Sequence, residues 1–162
     1  MNEFDRGPSK LEEALASPAV ENILALAQEK AKELNSPFVG TEFLLLGIAE
    51  EKGRVADVLA DMGVTSDRII SEILAIGLPR EVSLEEIELT SPVEKTLERA
   101  LDEANNYGSS QISPSHLLLA LVKMDGGMAK SVLNHLGIDL RELQRRVDCF
   151  ITASSVAESS LT

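Results

Sequence analysis

The chain repeats itself, and that restricts it to folds that can be built twice. Val20, Ile23, Leu24, Ala27, Ala31 and Leu34 fall at the three- and four-residue steps that line one face of a helix. Val93, Leu97, Ala100, Leu101, Ala104 and Tyr107 give the same pattern at an offset of 73 residues. One extra residue in the second copy then moves the offset to 74. Phe43-Leu44-Leu45 falls on Leu117-Leu118-Leu119, Gly53 on Gly127, Val58-Leu59 on Val132-Leu133, and Gly63-Val64 on Gly137-Ile138.

The paired glycines punctuate short helices, since a left-handed residue followed by an apolar contact makes a C-cap. Alternating or β-branched runs are nearly absent, so each copy reads as four helices. They are expected near 18–34, 41–51, 53–62 and 66–76, and again near 91–107, 114–123, 128–136 and 139–152. Thr41 is placed to cap the second helix, while Ser113 precedes Pro114 at a first-turn position. Ile112 and Leu117 have the spacing of a hydrophobic staple around Ser113. The expected organisation is an N-terminal extension over 1–17, repeat one over 18–76, a linker over 77–90, repeat two over 91–152 and a mobile tail over 153–162. The linker carries Pro79 and four glutamates, with a short hairpin expected at Val82 to Leu89.

At 162 residues the chain is about one domain, large enough to bury a core without disulfides. Its single cysteine, Cys149, shares an expected stripe with Leu140, Leu143, Val147 and Phe150, which reads as a small core filler and an inert thiol. Nucleic acid is a poor partner: the formal charge is -12, no basic cluster is denser than Arg141, Arg145 and Arg146, and aromatic residues are 3%. The longest apolar run, Phe43 to Ala49, falls far short of the roughly 20 residues that span a bilayer. Acidic residues in the first twenty positions argue against a signal peptide, so the expected location is the cytoplasm, or the stroma in a plastid-bearing source.

Catalytic patterns are missing. His116 and His135 stand without HExxH or paired cysteines, so neither metal nor cofactor is expected. No phosphate-binding GxxxxGK[ST], no GxGxxG after a strand and no GxSxG turn occur, and the expectation is a chain that is not an enzyme. Abundant glutamates, such as Glu85-Glu86 and Glu50-Glu51, read as solvated acidic runs. Glu42 differs, because it follows Thr41 at the N-terminus of the most apolar helix, where the dipole favours a carboxylate. Its counterpart in the second copy is His116, which breaks the symmetry.

The segments GTEFLLLGI (40–48), GRVADVLADMGV (53–64), EIELTSP (86–92), SPSHLLLAL (113–121) and GGMAKSVLNHLGIDL (126–140) resemble the double Clp repeat. This is the N-terminal domain of Clp unfoldases such as ClpA and ClpC and of smaller stand-alone relatives. The resemblance covers about residues 18–150. It implies an all-α fold of two tandem four-helix repeats about a pseudo-twofold axis. It further implies a docking module that receives protein substrates and adaptor proteins, or contacts Clp unfoldase or peptidase subunits. In ClpC-type members the second-helix motif, GTEH in both repeats, contributes a threonine and a glutamate that grip phosphorylated arginine. On that pattern Thr41 and Glu42 are the candidate contacts, with Phe43 in place of the histidine. Pro114, Ser115, His116 and Leu117 replace the motif in the second copy, so Ser115 and His116 are its counterparts and its glutamate is gone. The long opening segment and the lack of Walker motifs favour a stand-alone accessory protein over an excised ATPase domain. A self-associating helical scaffold and a small acid-base enzyme are the alternatives from other classes.

Overall fold

The computed structural model of the protein describes residues 17–36, 38–76, 88–89, 91–124 and 127–161. Among these the chain is all-α, with eight helices and one two-residue strand pair. Repeat one holds α1 (Pro18–Glu33), β1 (Phe38–Val39), α2 (Thr41–Glu50), α3 (Arg54–Asp61) and α4 (Ser66–Ile76). Repeat two follows β2 (Glu88–Leu89) with α5 (Ser91–Asn106), α6 (Pro114–Lys123), α7 (Met128–His135) and α8 (Leu140–Leu161). Seven of the eight helices end within about two residues of the expected bounds. The eighth does not: α8 runs on to Leu161, so the tail read as mobile from 153 continues a helix. No glycine or proline lies between Asp139 and Leu161 to stop it.

The two copies end their helices alike. After α3, Gly63 takes φ +86, its N–H bonds to Ala60 O, and Val64 N–H reaches Leu59 O at 2.7 Å. After α7, Gly137 takes φ +75 with bonds to Asn134 O, and Ile138 N–H reaches Leu133 O at 3.1 Å. These are matching Schellman caps. The ends of α1 and α5 match as well, with Asn35 at φ 58 where the second copy has Gly108 at φ 77. Asparagine is among the few side chains that tolerate this region.

Helices α2 and α6 carry the core. Every residue from Thr41 to Ile48 and from Ser115 to Val122 is buried, as expected of helices that are apolar nearly all round. They touch each other, and α2 meets α5 and α7 just as α6 meets α1 and α3. The remaining cross-repeat pairs, α3 with α8 and α4 with α7, also exchange when the repeats are swapped, which is the pseudo-twofold. The described part of the expected hairpin pairs differently: Glu88–Leu89 lies parallel to Phe38–Val39, while 82–87 fall outside the described residues. So do residues 1–16 of the extension and most of the linker.

Close packing of α1 on α2 depends on Gly47. A methyl group there would stand 2.6 Å from the backbone oxygen of Ile23. Gly47→Ala adds roughly 1 kcal/mol of helix propensity, yet overpacking of a tight core costs about 1–3 kcal/mol. Because the opposing atom is backbone, the clash should win, and denaturant melts should show net destabilisation. An equally stable or more stable variant would show that α1 moves away freely.

Candidate functional site

The N-terminus of α2 brings together the two residues singled out in repeat one. Gly40 is the N-cap, with extended backbone and no side-chain cap, so Thr41 is the first helical residue and not the cap expected from sequence. Its hydroxyl is engaged elsewhere: Thr41 Oγ1 accepts the N–H of Ala129 at 2.9 Å in a buried bond. That N–H belongs to the first turn of α7, so the threonine ties the repeats together and satisfies an amide that α7 cannot satisfy itself. Gly127 makes room for it, since a Cβ there would lie 3.1 Å from Thr41 Oγ1. Gly127 also sits at φ +92, a region that favours glycine.

Glu42 follows as the second residue of α2, and only 9% of it is exposed. Its side chain folds back over Gly40, where a Cβ would stand 1.9 Å from Oε1. A side chain at 40 would therefore push the Glu42 carboxyl out of this position. Burial pushes the Glu42 carboxyl up to about 7, with backbone hydrogen bonds around Glu42, Gly40 and Phe43 opposing the rise. None of the ion pairs among the described residues includes Glu42. The group is thus a buried carboxyl, at a helix N-terminus, balanced near neutrality and without a basic partner.

Repeat two builds its corresponding corner otherwise. Ser113 caps α6, and His116 completes a capping box: His116 Nδ1 accepts the Ser113 N–H at 2.9 Å while Ser113 Oγ accepts the His116 N–H at 3.4 Å. A glutamate or glutamine usually fills that third-residue role, and histidine does it here only as an unprotonated acceptor. Burial lowers the His116 pKa, which favours that neutral form, although Glu103 nearby pulls the other way. Tyr107 packs on the imidazole with ring centroids 5.9 Å apart. His116 therefore serves the helix start and offers no anionic fork. The capping role was missed in the sequence, where the Ser113-x-x-His116 spacing was its only trace. Ser115, beside it, is buried but makes no bond like that of Thr41.

Other singled-out residues fall away from this corner. His135 faces Glu72 of repeat one, with Nδ1 3.3 Å from Oε2. Cys149 is exposed, which corrects its reading as a core filler. Leu143, Val147 and Ile151 form the buried face of α8 at four-residue steps, and two positions past Val147 lies the opposite side. Among the described residues no group of three or more His, Cys, Asp or Glu is placed to hold a metal ion. No helix among them is long and apolar enough to cross a membrane.

Comparison with known proteins adds the following. The family described as the Clp repeat (R) N-terminal domain matches residues 15–86 and again 88–160. The negative regulator of genetic competence ClpC/MecB of Bacillus subtilis (strain 168) is 37% identical over 129 residues, covering 78% of this chain and 16% of that protein. The ClpA homolog of Guillardia theta, an ATP-dependent Clp protease ATP-binding subunit, is 39% identical over 127 residues, with 77% and 16% covered. The chain thus spans only about a sixth of these relatives' length. Among solved structures, the N-terminal domain of ClpD from Arabidopsis thaliana superposes with a TM-score of 0.70 at 21% identity, over 83% of this chain and 96% of that one. The Hsp104 N-terminal domain from Candida albicans gives 0.68 at 14% identity, over 81% and 87%. At such identities these two likenesses speak for the fold.

Proposed function

Because the chain belongs to the Clp repeat N-terminal domain family, we propose that it is a non-catalytic docking module that brings protein substrates or adaptor proteins to the Clp machinery. The role is the same for an accessory chain that contacts Clp unfoldase or peptidase subunits and for a domain leading a ClpC- or ClpA-type ATPase. We place it in the cytoplasm, or in the stroma of a plastid-bearing source.

The observation that carries this proposal is the state of Glu42. A buried carboxyl without a basic partner is costly to ionise, and a bound guanidinium group would remove that cost through paired N–H···O bonds. We take Thr41 as a positioning residue, since its hydroxyl already holds Ala129. Phosphorylated arginine on a marked protein is the ligand the Gly40-Thr41-Glu42 motif fits by resemblance. Affinity capture from the source lysate with the tagged chain tests the docking role. Clp subunits or an adaptor should be recovered, and Glu42→Gln should lose the marked substrates while keeping partners that bind elsewhere. Recovery of no Clp component, with the chain shown to be folded, would count against docking.

A further inference from the structure

The pseudo-twofold relates the Thr41 contact to a second corner, between Ser115 of α6 and the start of α3, and there the contact is not made. At the first corner Thr41 Oγ1 takes the Ala129 N–H. The equivalent pair at the second corner is Ser115 and Val55, and the structure leaves a cleft of about 200 Å³ there instead. Ser115 lines it, is 6% exposed, and its hydroxyl has no partner among the described residues. The N–H groups of Val55 and Ala56, in the first turn of α3, likewise have no partner among the described residues. Gly53 at the N-cap supplies no side-chain acceptor to either. A buried hydroxyl and two helix-start amides with nothing to bind have been brought to one cavity, where such groups are ordinarily paired.

We propose that this cleft binds a carboxylate group carried on a small apolar body. The amides that line it can donate only to an anion or a neutral acceptor, and the helix dipole adds to the preference for negative charge. Lys52 and Arg54 line the same cleft and reinforce it. Glu51 also lines it, with its carboxylate held by Asn22, and this sets an upper limit on charge. A single negative charge is tolerated there, whereas an inorganic phosphate has no apolar part to set against the Val55, Ala56 and Pro114 walls. The Val55, Ala56 and Pro114 walls favour an aliphatic neighbour to the carboxylate. A polypeptide C-terminus and an Asp or Glu side chain share this chemistry. The inference goes beyond the docking role and does not depend on Glu42.

Amide chemical shifts of the folded chain, titrated with N-acetyl-Ala-Ala, its carboxamide, N-acetyl-Glu-amide and inorganic phosphate, test it. Saturable shifts at Val55, Ala56 and Ser115 should appear with the free acid or with the glutamate amide, whichever names the source, and not with the neutral carboxamide. Ser115→Ala should weaken binding at least threefold. Gly53→Asp is the sharper variant. Nothing lies within 4 Å of a Cβ at Gly53, and its backbone there is extended, so the new carboxylate can cap Val55 and Ala56 itself. That variant should lose binding without a lower Tm, which separates occupancy of the site from damage to the fold. Absence of saturable shifts, equal shifts with the carboxamide, phosphate binding as well as the carboxylates, or binding that survives Gly53→Asp would each overturn the proposal. Failure to capture Clp partners would leave these shifts untouched.

Discussion

Leu45→Ala and Leu119→Ala should each destabilise the chain by about 2–5 kcal/mol, among the largest effects of any single truncation here. The two leucines occupy the same place in the repeats, and both are 0% exposed, in the helices that every other layer packs against. Removing three carbons from such a site forfeits their transfer energy and leaves a cavity that two helices buried on all faces cannot easily close. Equal treatment of the repeats is part of the expectation. Denaturant melts with unchanged m-values would measure it, and a loss below about 1 kcal/mol at both positions would mean that the register between the copies is wrong.

Glu42→Gln should act in the opposite direction, and only at higher pH. The ordinary carboxyl value is 4.5 and the folded value is about 7, so between them the native state holds a proton that the unfolded state has released. Stability is then greatest below pH 4.5 and falls as pH rises toward 7. The accumulated penalty above pH 7 is of order 2–3 kcal/mol, reckoned at about 1.4 kcal/mol per pH unit and discounted for the small exposed part. Glutamine keeps the shape and cannot ionise, so the variant should be more stable than the parent by about that amount at pH 8 and nearly equal to it at pH 4.5. Melts across pH check this, and parallel profiles for parent and variant would show that Glu42 ionises without cost. A residue that destabilises its own fold at neutral pH fits selection for a ligand over selection for stability.

How much of this was legible in the sequence depends on the range of the interaction. Stripes such as Val20 to Leu34 and Val93 to Tyr107 record packing at three- and four-residue spacing, so the helices and the repeat were readable. Gly63 and Gly137 were readable for the same reason, because a C-cap is local. Thr41 was misassigned because its partner, Ala129, lies in the other repeat and no local spacing reveals it. Cys149 was misassigned because a turn of α8 offers two plausible stripes and only the neighbouring helices decide which one is buried. The hydroxyl-rich end looked like a tail, but composition alone does not stop a helix that meets neither glycine nor proline. Burial of Glu42 and the open cleft at Ser115 are properties of the assembled pair of repeats, which one repeat's sequence does not contain.

The central claim is that the two motif corners are unequal, with repeat one alone presenting an anionic fork to a guanidinium ligand. Calorimetric titration of the folded chain with phosphoarginine at pH 8 tests it most directly. One site per chain is expected, abolished by Glu42→Gln, unchanged by His116→Ala, and about tenfold weaker at pH 6, where a carboxyl of pKa about 7 is mostly protonated. Two equal sites, no measurable heat, or a site that persists in Glu42→Gln would contradict it.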